Sequence, residues 1–311
     1  MSQEMDISWQ ELSRIVRQWG GPTVEIAGVR TMSGGCISTT LLVELLDGRK
    51  AVCKVSPHRI DRSYVNEAHQ LQMMAELGLP VPQVYAAQIG SLDDPFSYIL
   101  MEHIPGITLQ HARAQCTAEE FDALQRQLAE MLLALHEQTS THYGRAEIEP
   151  PATTFENWPN FFRHVFDPVC DEIAQNSLLP IKCRKHIQRT HDRLERVLRT
   201  DEEPRLLHWD VWHSNILASR DASGKWRVAA LLDPNCKFGD IETELAYMSL
   251  FRTSTPAFMR AYQLKRRLTE GYHQVRKPVY QMYFLMNNVQ MFGNGYTKPL
   301  IDTVERVAAV V

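Results

Sequence analysis

Residues 206–218 read LLHWDVWHSNILA. Apolar pairs at the two ends, Leu206–Leu207 and Ile216–Leu217, bracket a polar centre that holds His208, Asp210 and Asn215. Short apolar runs on either side of a polar stretch read as two strands joined by a loop. On that loop an acid and an amide stand five residues apart, with tryptophans at 209 and 212. A second short strand signal follows in WRVAALLDPN, which brings Asp233 to the end of another apolar run.

Upstream, residues 24–55 read as strands. In CISTTLLVELLDGRKAVCKVS an Asp-Gly joins two apolar runs, a strong hairpin signal. Lys54 lies in the second run and SGGC, at 33–36, in the turn before the first. RSYVNEAHQLQMMAELG then reads as a helix that carries Glu67 and stops at Gly78. FSYILMEHIPG is a short strand ended by Pro105 and Gly106. A small mixed lobe over 1–103 and a larger lobe over 104–311 are expected. In the larger part helices dominate: 118–136, with Thr117 and Glu120 as a capping box, then 155–175, 181–200, 241–251, 256–267, 278–292 and 298–309. Asp240 is the expected N-cap of the 241–251 helix.

Composition bounds the function. The 311 residues are 44% hydrophobic and 23% charged, ordinary for a globular protein and long enough for one large domain or two lobes. A net charge of -4 argues against a nucleic-acid partner. No apolar run has the length of a membrane-spanning helix, and the polar start MSQEMDISWQ is not a signal peptide. The six cysteines form no close pairs and no metal-type spacing, which points to a reduced, cytoplasmic protein.

Lys54, Glu67, Asp210, Asn215 and Asp233 follow in a fixed order. Singly each has a plain reading: a strand lysine at an edge, a surface glutamate, a loop acid. Together they suit phosphoryl transfer, which needs charge neutralisation and positioning more than covalent chemistry. A turn built on Ser33, Gly34 and Gly35 lets backbone N–H groups approach phosphates. Lys54, braced by Glu67, can grip them. Asn215 and Asp233 offer the hard oxygens that Mg2+ prefers, and Asp210 can orient an acceptor hydroxyl and take its proton. Trp212, two residues past Asp210, can stack on a sugar. Trp209 is expected to pack under the loop instead.

These motifs resemble the fructosamine (ketosamine) kinase family, within the aminoglycoside phosphotransferase-like small-molecule kinases. SGGCIS, ENWPNFF, HWDVWHSN, LLDPNCKFGDIETELAYMSLF and VYQMYFLMNNVQMFGNGY each resemble a family segment, in the family's order. The resemblance implies a protein-kinase-like two-lobe α+β fold, ATP and Mg2+ as cofactors, and transfer of phosphate to a small-molecule acceptor. It places Glu102 to Ile104 at the hinge that meets the adenine, and it puts the acceptor against the last large helix, where Asn288 and Phe292 become candidates. It also makes Cys36 a candidate redox-responsive thiol, with a homodimer under oxidising conditions. This chain departs from the family in having Trp209 in place of the glycine of HGD, Phe284, Asn288 and Gln290 in the last large helix, and Lys237 near the Asp233 loop. Other readings are a different small-molecule kinase, acting on an antibiotic, amino alcohol or sugar, and a nucleotide-binding pseudokinase.

Overall fold

A computed structural model describes residues 7–32, 39–56, 62–92, 94, 96–149 and 153–311. The turn at Ser33, Gly34, Gly35 and Cys36 lies outside the described residues.

The N-terminal part contains α1 (Trp9–Gly20), β1 (Ile26–Thr31), β2 (Thr39–Leu45), β3 (Lys50–Ser56), α2 (Ser63–Glu76), β4 (Val84–Gln88) and β5 (Ser97–Glu102). Its strands form an antiparallel sheet in the order β1-β2-β3-β5-β4. The Asp-Gly turn closes the β2–β3 hairpin as expected, with Gly48 at φ 84, a left-handed conformation that glycine adopts without strain. Side chains alternate across β5. Tyr98 and Leu100 meet Leu12, Ile15 and Val16 of α1, whereas Ile99 and Met101 meet Tyr64 and Leu71 of α2. The sheet is thus covered by a helix on each face. α1 was not anticipated, although the capping box of Ser8 and Glu11 was its sequence signal.

The remainder is mostly helical: β6 (Ile107–Thr108), α3 (Leu109–Gln115), α4 (Ala118–His136), β7 (Gly144–Arg145), α5 (Trp158–Gln175), α6 (Ile181–His191), α7 (Leu194–Val197), β8 (Arg205–Leu207), β9 (Ile216–Arg220), β10 (Trp226–Leu231), β11 (Lys237–Gly239), α8 (Ile241–Leu250), α9 (Pro256–Gln263), α10 (Lys277–Phe292) and α11 (Thr297–Ala308). α4 has the expected bounds and the Thr117–Glu120 capping box. The single helix expected over 181–200 is instead two, α6 and the short α7, separated by Asp192 and Arg193. One continuous core runs from α4 through α5, α8 and α10 to α11. The two smaller sheets, β10-β9-β6 and β7-β11-β8, carry the loops that face the N-terminal part. Among the described residues no helix is long and apolar enough to cross a membrane.

Candidate active site

β8 stops at Leu207 and β9 starts at Ile216, so residues 208–215 form the loop expected from the opening motif. Two short backbone bonds shape it: Trp212 N donates to Asp210 O at 3.1 Å and Asn215 N to Trp212 O at 2.9 Å. Trp209 has φ 69. That left-handed conformation costs an L-residue about 1–2 kcal/mol, and it explains why a glycine suits this position. The indole offsets the strain by burial. It packs edge-on against Trp158, Tyr283 and Phe284, which bears out the expectation that it packs under the loop.

The loop backbone is tied down from below. Glu244 Oε1 accepts from Trp209 N at 2.5 Å, while Glu244 Oε2 lies 2.8 Å from His136 Nε2 and His136 Nδ1 lies 2.6 Å from the Tyr262 hydroxyl. Burial alone would raise the Glu244 carboxyl, but His136 and the Trp209 N–H hold it below its ordinary value, as hydrogen bonds to an ionised form do. Asp240 caps α8 by accepting from Glu242 N at 2.9 Å, as expected, and so sets the helix that presents Glu244.

Asp210 accepts from Asn215 Nδ2 at 2.9 Å on Oδ2 and from the Tyr247 hydroxyl on Oδ1. Burial pushes its carboxyl up to about 6, although Tyr247 and Asn215 pull the other way. At neutral pH it is ionised and is a usable proton acceptor. His208 is fully buried, its pKa lowered by desolvation. Its Nδ1 accepts from Asp210 N at 3.3 Å, so it braces the loop in neutral form.

Lys54 Nζ donates to Glu67 Oε1 at 2.7 Å and also to Asp233 Oδ1. Burial works against its ammonium, but the charges of Glu67 and Asp233 outweigh that and hold its pKa above the ordinary lysine value. The Asp233 side chain is 47% exposed while those of Lys54 and Glu67 are 11% and 13%, so the ion pair closes inward and Asp233 faces open space. Asn215 spends its amide N–H on Asp210; its oxygen, with the exposed Asp233 carboxylate, makes a hard-oxygen pair that fits Mg2+. Among the described residues no group of three or more His, Cys, Asp or Glu could hold a metal ion.

The other candidates are distributed less tightly. Glu102 ends β5, with its N donating to Gln83 O at 2.8 Å and its carboxylate accepting from Gln83 N at 3.2 Å; Ile104 follows in the link to β6. Trp212 is half-buried against Phe251 and His213. Asn288 donates to Phe284 O at 2.9 Å, Phe292 is 45% exposed beside Tyr296, and Gln290 donates to Glu172 of α5 at 2.6 Å. None of these contacts joins Asn288 or Phe292 to Asp210. From α10, the Phe284 ring centroid lies 4.6 Å from that of Tyr247, the residue that donates to Asp210.

Sequence reasoning missed Tyr247, Glu244, His136 and Gln70. The last is a buried α2 residue whose amide donates to Ala146 O at 2.8 Å and accepts from Cys236 N at 2.9 Å, linking the helix of Glu67 to the segment after Asp233. The apolar run LAYMSLF gave a signal for a buried helix, but nothing in it marked Tyr247 as facing Asp210.

Residues 8–309 match the model of the fructosamine kinase family. The chain is 27% identical over 304 residues to a chloroplastic protein-ribulosamine 3-kinase of Oryza sativa subsp. japonica, covering 93% of this chain and 82% of that one. The structure of a putative fructosamine-3-kinase from Thermobifida fusca superposes with a TM-score of 0.74 at 23% identity, over 96% of this chain and 98% of the other. A thermostable mutant of aminoglycoside phosphotransferase APH(4)-Ia, in a ternary complex with AMP-PNP and hygromycin B, gives 0.65 at 18% identity, over 96% and 97%. These two likenesses establish the kinase-like two-lobe fold.

Proposed function

The chain belongs to the fructosamine kinase family and is a small-molecule kinase, and from that premise we propose that it transfers the γ-phosphoryl group of ATP to a hydroxyl of a ketosamine, a fructosamine or ribulosamine. The observation that carries this reading is the contact between Lys54 and Asp233. It joins residues 179 apart, one on the sheet and one beside the Asp210 loop, and so supports reading Lys54 as the phosphate-binding cation of a site in which Asp210 is the proton acceptor.

In this reading the division near residue 103 separates a nucleotide-binding lobe from a catalytic lobe, with ATP in the cleft and its adenine against the backbone of Glu102 to Ile104. Lys54, held by Glu67, pairs with the phosphates. Asn215 and Asp233 would hold Mg2+, which when bound neutralises phosphate charge. Asp210 accepts a hydrogen bond from the acceptor hydroxyl and aims its oxygen at the γ-phosphorus. As the new O–P bond forms, the bond from the γ-phosphorus to the bridging oxygen breaks, ADP leaves, and the hydroxyl proton passes to Asp210. Trp212 offers an aromatic face beside the sugar. Asn288 and Phe292, which no hydrogen bond or ring contact joins to Asp210 among the described residues, are kept as candidates for the outer acceptor side on the resemblance alone. The structural relative bound to AMP-PNP and the ribulosamine named for the rice relative support ATP as donor and a ketosamine as acceptor. We place the protein in the cytoplasm.

The test is ADP formation across a panel of fructosyl-lysine, ribulosyl-lysine, aminoglycosides and free sugars. Selective turnover of a ketosamine is expected. Turnover confined to an aminoglycoside or free sugar would reassign the acceptor while leaving the kinase chemistry in place.

A further inference from the structure

Lys237 is a lysine in the core. It is 3% exposed, and no carboxylate pairs with it among the described residues. Its ammonium donates to Asn235 O at 2.9 Å and otherwise sits 4.4 Å from the centroid of the Trp209 ring. Buried charges are ordinarily paired; here the aromatic face takes the place of a counter-ion. The strand register delivers it there: Lys237 of β11 pairs with Leu207 of β8, two residues before Trp209.

Two unfavourable features therefore meet. Trp209 occupies a left-handed backbone position that favours glycine, and Lys237 occupies the interior. Neighbouring rings of Trp158, Tyr283 and Phe284 contact the indole edge-on, whereas Lys237 covers its face. The next peptide carries Asp210, so any swing of Trp209 moves the proton acceptor.

We propose that Lys237 is a positioning residue, clamping the Trp209 ring so that a non-glycine residue can hold the left-handed turn that aims Asp210. The inference rests on the assignment of Asp210 as the residue that orients the acceptor hydroxyl. Burial and the nearby Arg145 lower the lysine's pKa to about 7, while the charges of Asp210 and Glu147 act the other way without forming an ion pair. A double variant that also removes the Trp209 ring therefore separates a clamp acting through the ring from a direct effect of the lysine's charge on Asp210.

The test compares Lys237→Met, Trp209→Gly and the double variant in full-length protein, with Asp210→Asn as control. Steady-state constants for ATP and for the acceptor turned over by the parent protein are measured with thermal midpoints. Lys237→Met keeps the side-chain length and removes a buried charge, so a folded protein is expected. Its kcat should fall about tenfold, as small misplacements of reacting groups do, with both KM values nearly unchanged. In the Trp209→Gly background, where no ring needs clamping, the same substitution should leave kcat where it was. If Trp209→Gly folds poorly, Trp209→Asn, which tolerates the left-handed conformation, replaces it. An unchanged kcat in Lys237→Met overturns the proposal, as does an equal loss in both backgrounds or an effect confined to the acceptor KM. If Asp210→Asn abolishes turnover while Lys237→Met does not reduce it, only this inference fails. If Asp210→Asn turns over normally, the assignment of Asp210 fails with it.

Discussion

The hydroxyl of Tyr247 donates a hydrogen bond to Asp210 across 37 residues of chain. This bond favours the ionised carboxylate, while burial disfavours it and leaves the carboxyl at about 6. Removing the donor moves the balance toward the protonated acid. With Asp210 proposed to act in its ionised form, Tyr247→Phe should therefore shift the acidic limb of the kcat/KM–pH profile, which reports the free enzyme, to higher pH than the parent limb near pH 6. Steady-state rates between pH 5 and 9 check this; an unmoved or downward-shifted limb would separate Tyr247 from the titrating group.

Asp210→Asn should lower turnover by about 10²–10⁴-fold, the usual contribution of a positioned proton acceptor, while ATP still binds. The same change should raise the thermal midpoint at pH 7. The sign follows from the folded-state value of about 6 against the ordinary 3.8: the ionised carboxylate destabilises the fold fully above pH 6, progressively less down to the ordinary value, and not below it. The stability gain should shrink as pH falls through that window. Thermal melts of both proteins at pH 7 and pH 4 measure it.

Glu244→Ala should destabilise the protein by about 1–3 kcal/mol, the range for leaving a buried hydrogen-bonding group unsatisfied. It leaves the fully buried His136 without its carboxylate and the Trp209 N–H without its acceptor. Denaturant titration gives the loss. A change near zero would mean that the loop stands without this anchor.

What could be read from the sequence follows from how local each signal is. Asp210 and Asn215 share one short loop, so their sequence spacing already marked them as a pair, and the loop's turns bring the amide onto the carboxylate at 2.9 Å. The Asp-Gly turn fixes the hairpin that carries Lys54, and the helix that bears Glu67 is marked by its stop at Gly78. Contacts between distant elements left no such trace. Tyr247 sits in a helix whose residues are nearly all buried, so periodicity does not distinguish the one that faces Asp210. Gln70 bonds two backbone groups, Ala146 O and Cys236 N, and backbone partners have no sequence signature. The missing glycine at 209 was visible as a departure; that its replacement would adopt φ 69 and stack under Lys237 depended on three elements packing together. In α10 the resemblance pointed to Asn288 and Phe292, whereas the α10 ring in contact with Tyr247 is Phe284, a residue the sequence marked only as a departure from the family.

Trp212→Ala should raise KM for a ketosamine more than KM for ATP. The ring is half-buried against Phe251 and His213, leaving part of its surface to meet a sugar. The lost stacking is worth on the order of 1 kcal/mol, so the acceptor effect should be about tenfold at most. Equal changes in both constants, with a lowered thermal midpoint, would make Trp212 a packing residue only.

The most direct measurement is the mass and phosphorus spectrum of the product formed from ribulosyl-lysine or fructosyl-lysine with ATP and Mg2+. The account expects one phosphoryl group added to a sugar hydroxyl for each ADP released, with product formation sharply reduced in Asp233→Ala and lowered by about 10²–10⁴-fold in Asp210→Asn. ADP release with the ketosamine recovered unmodified, or a phosphorylated ketosamine from Asp210→Asn at the parent rate, would contradict it.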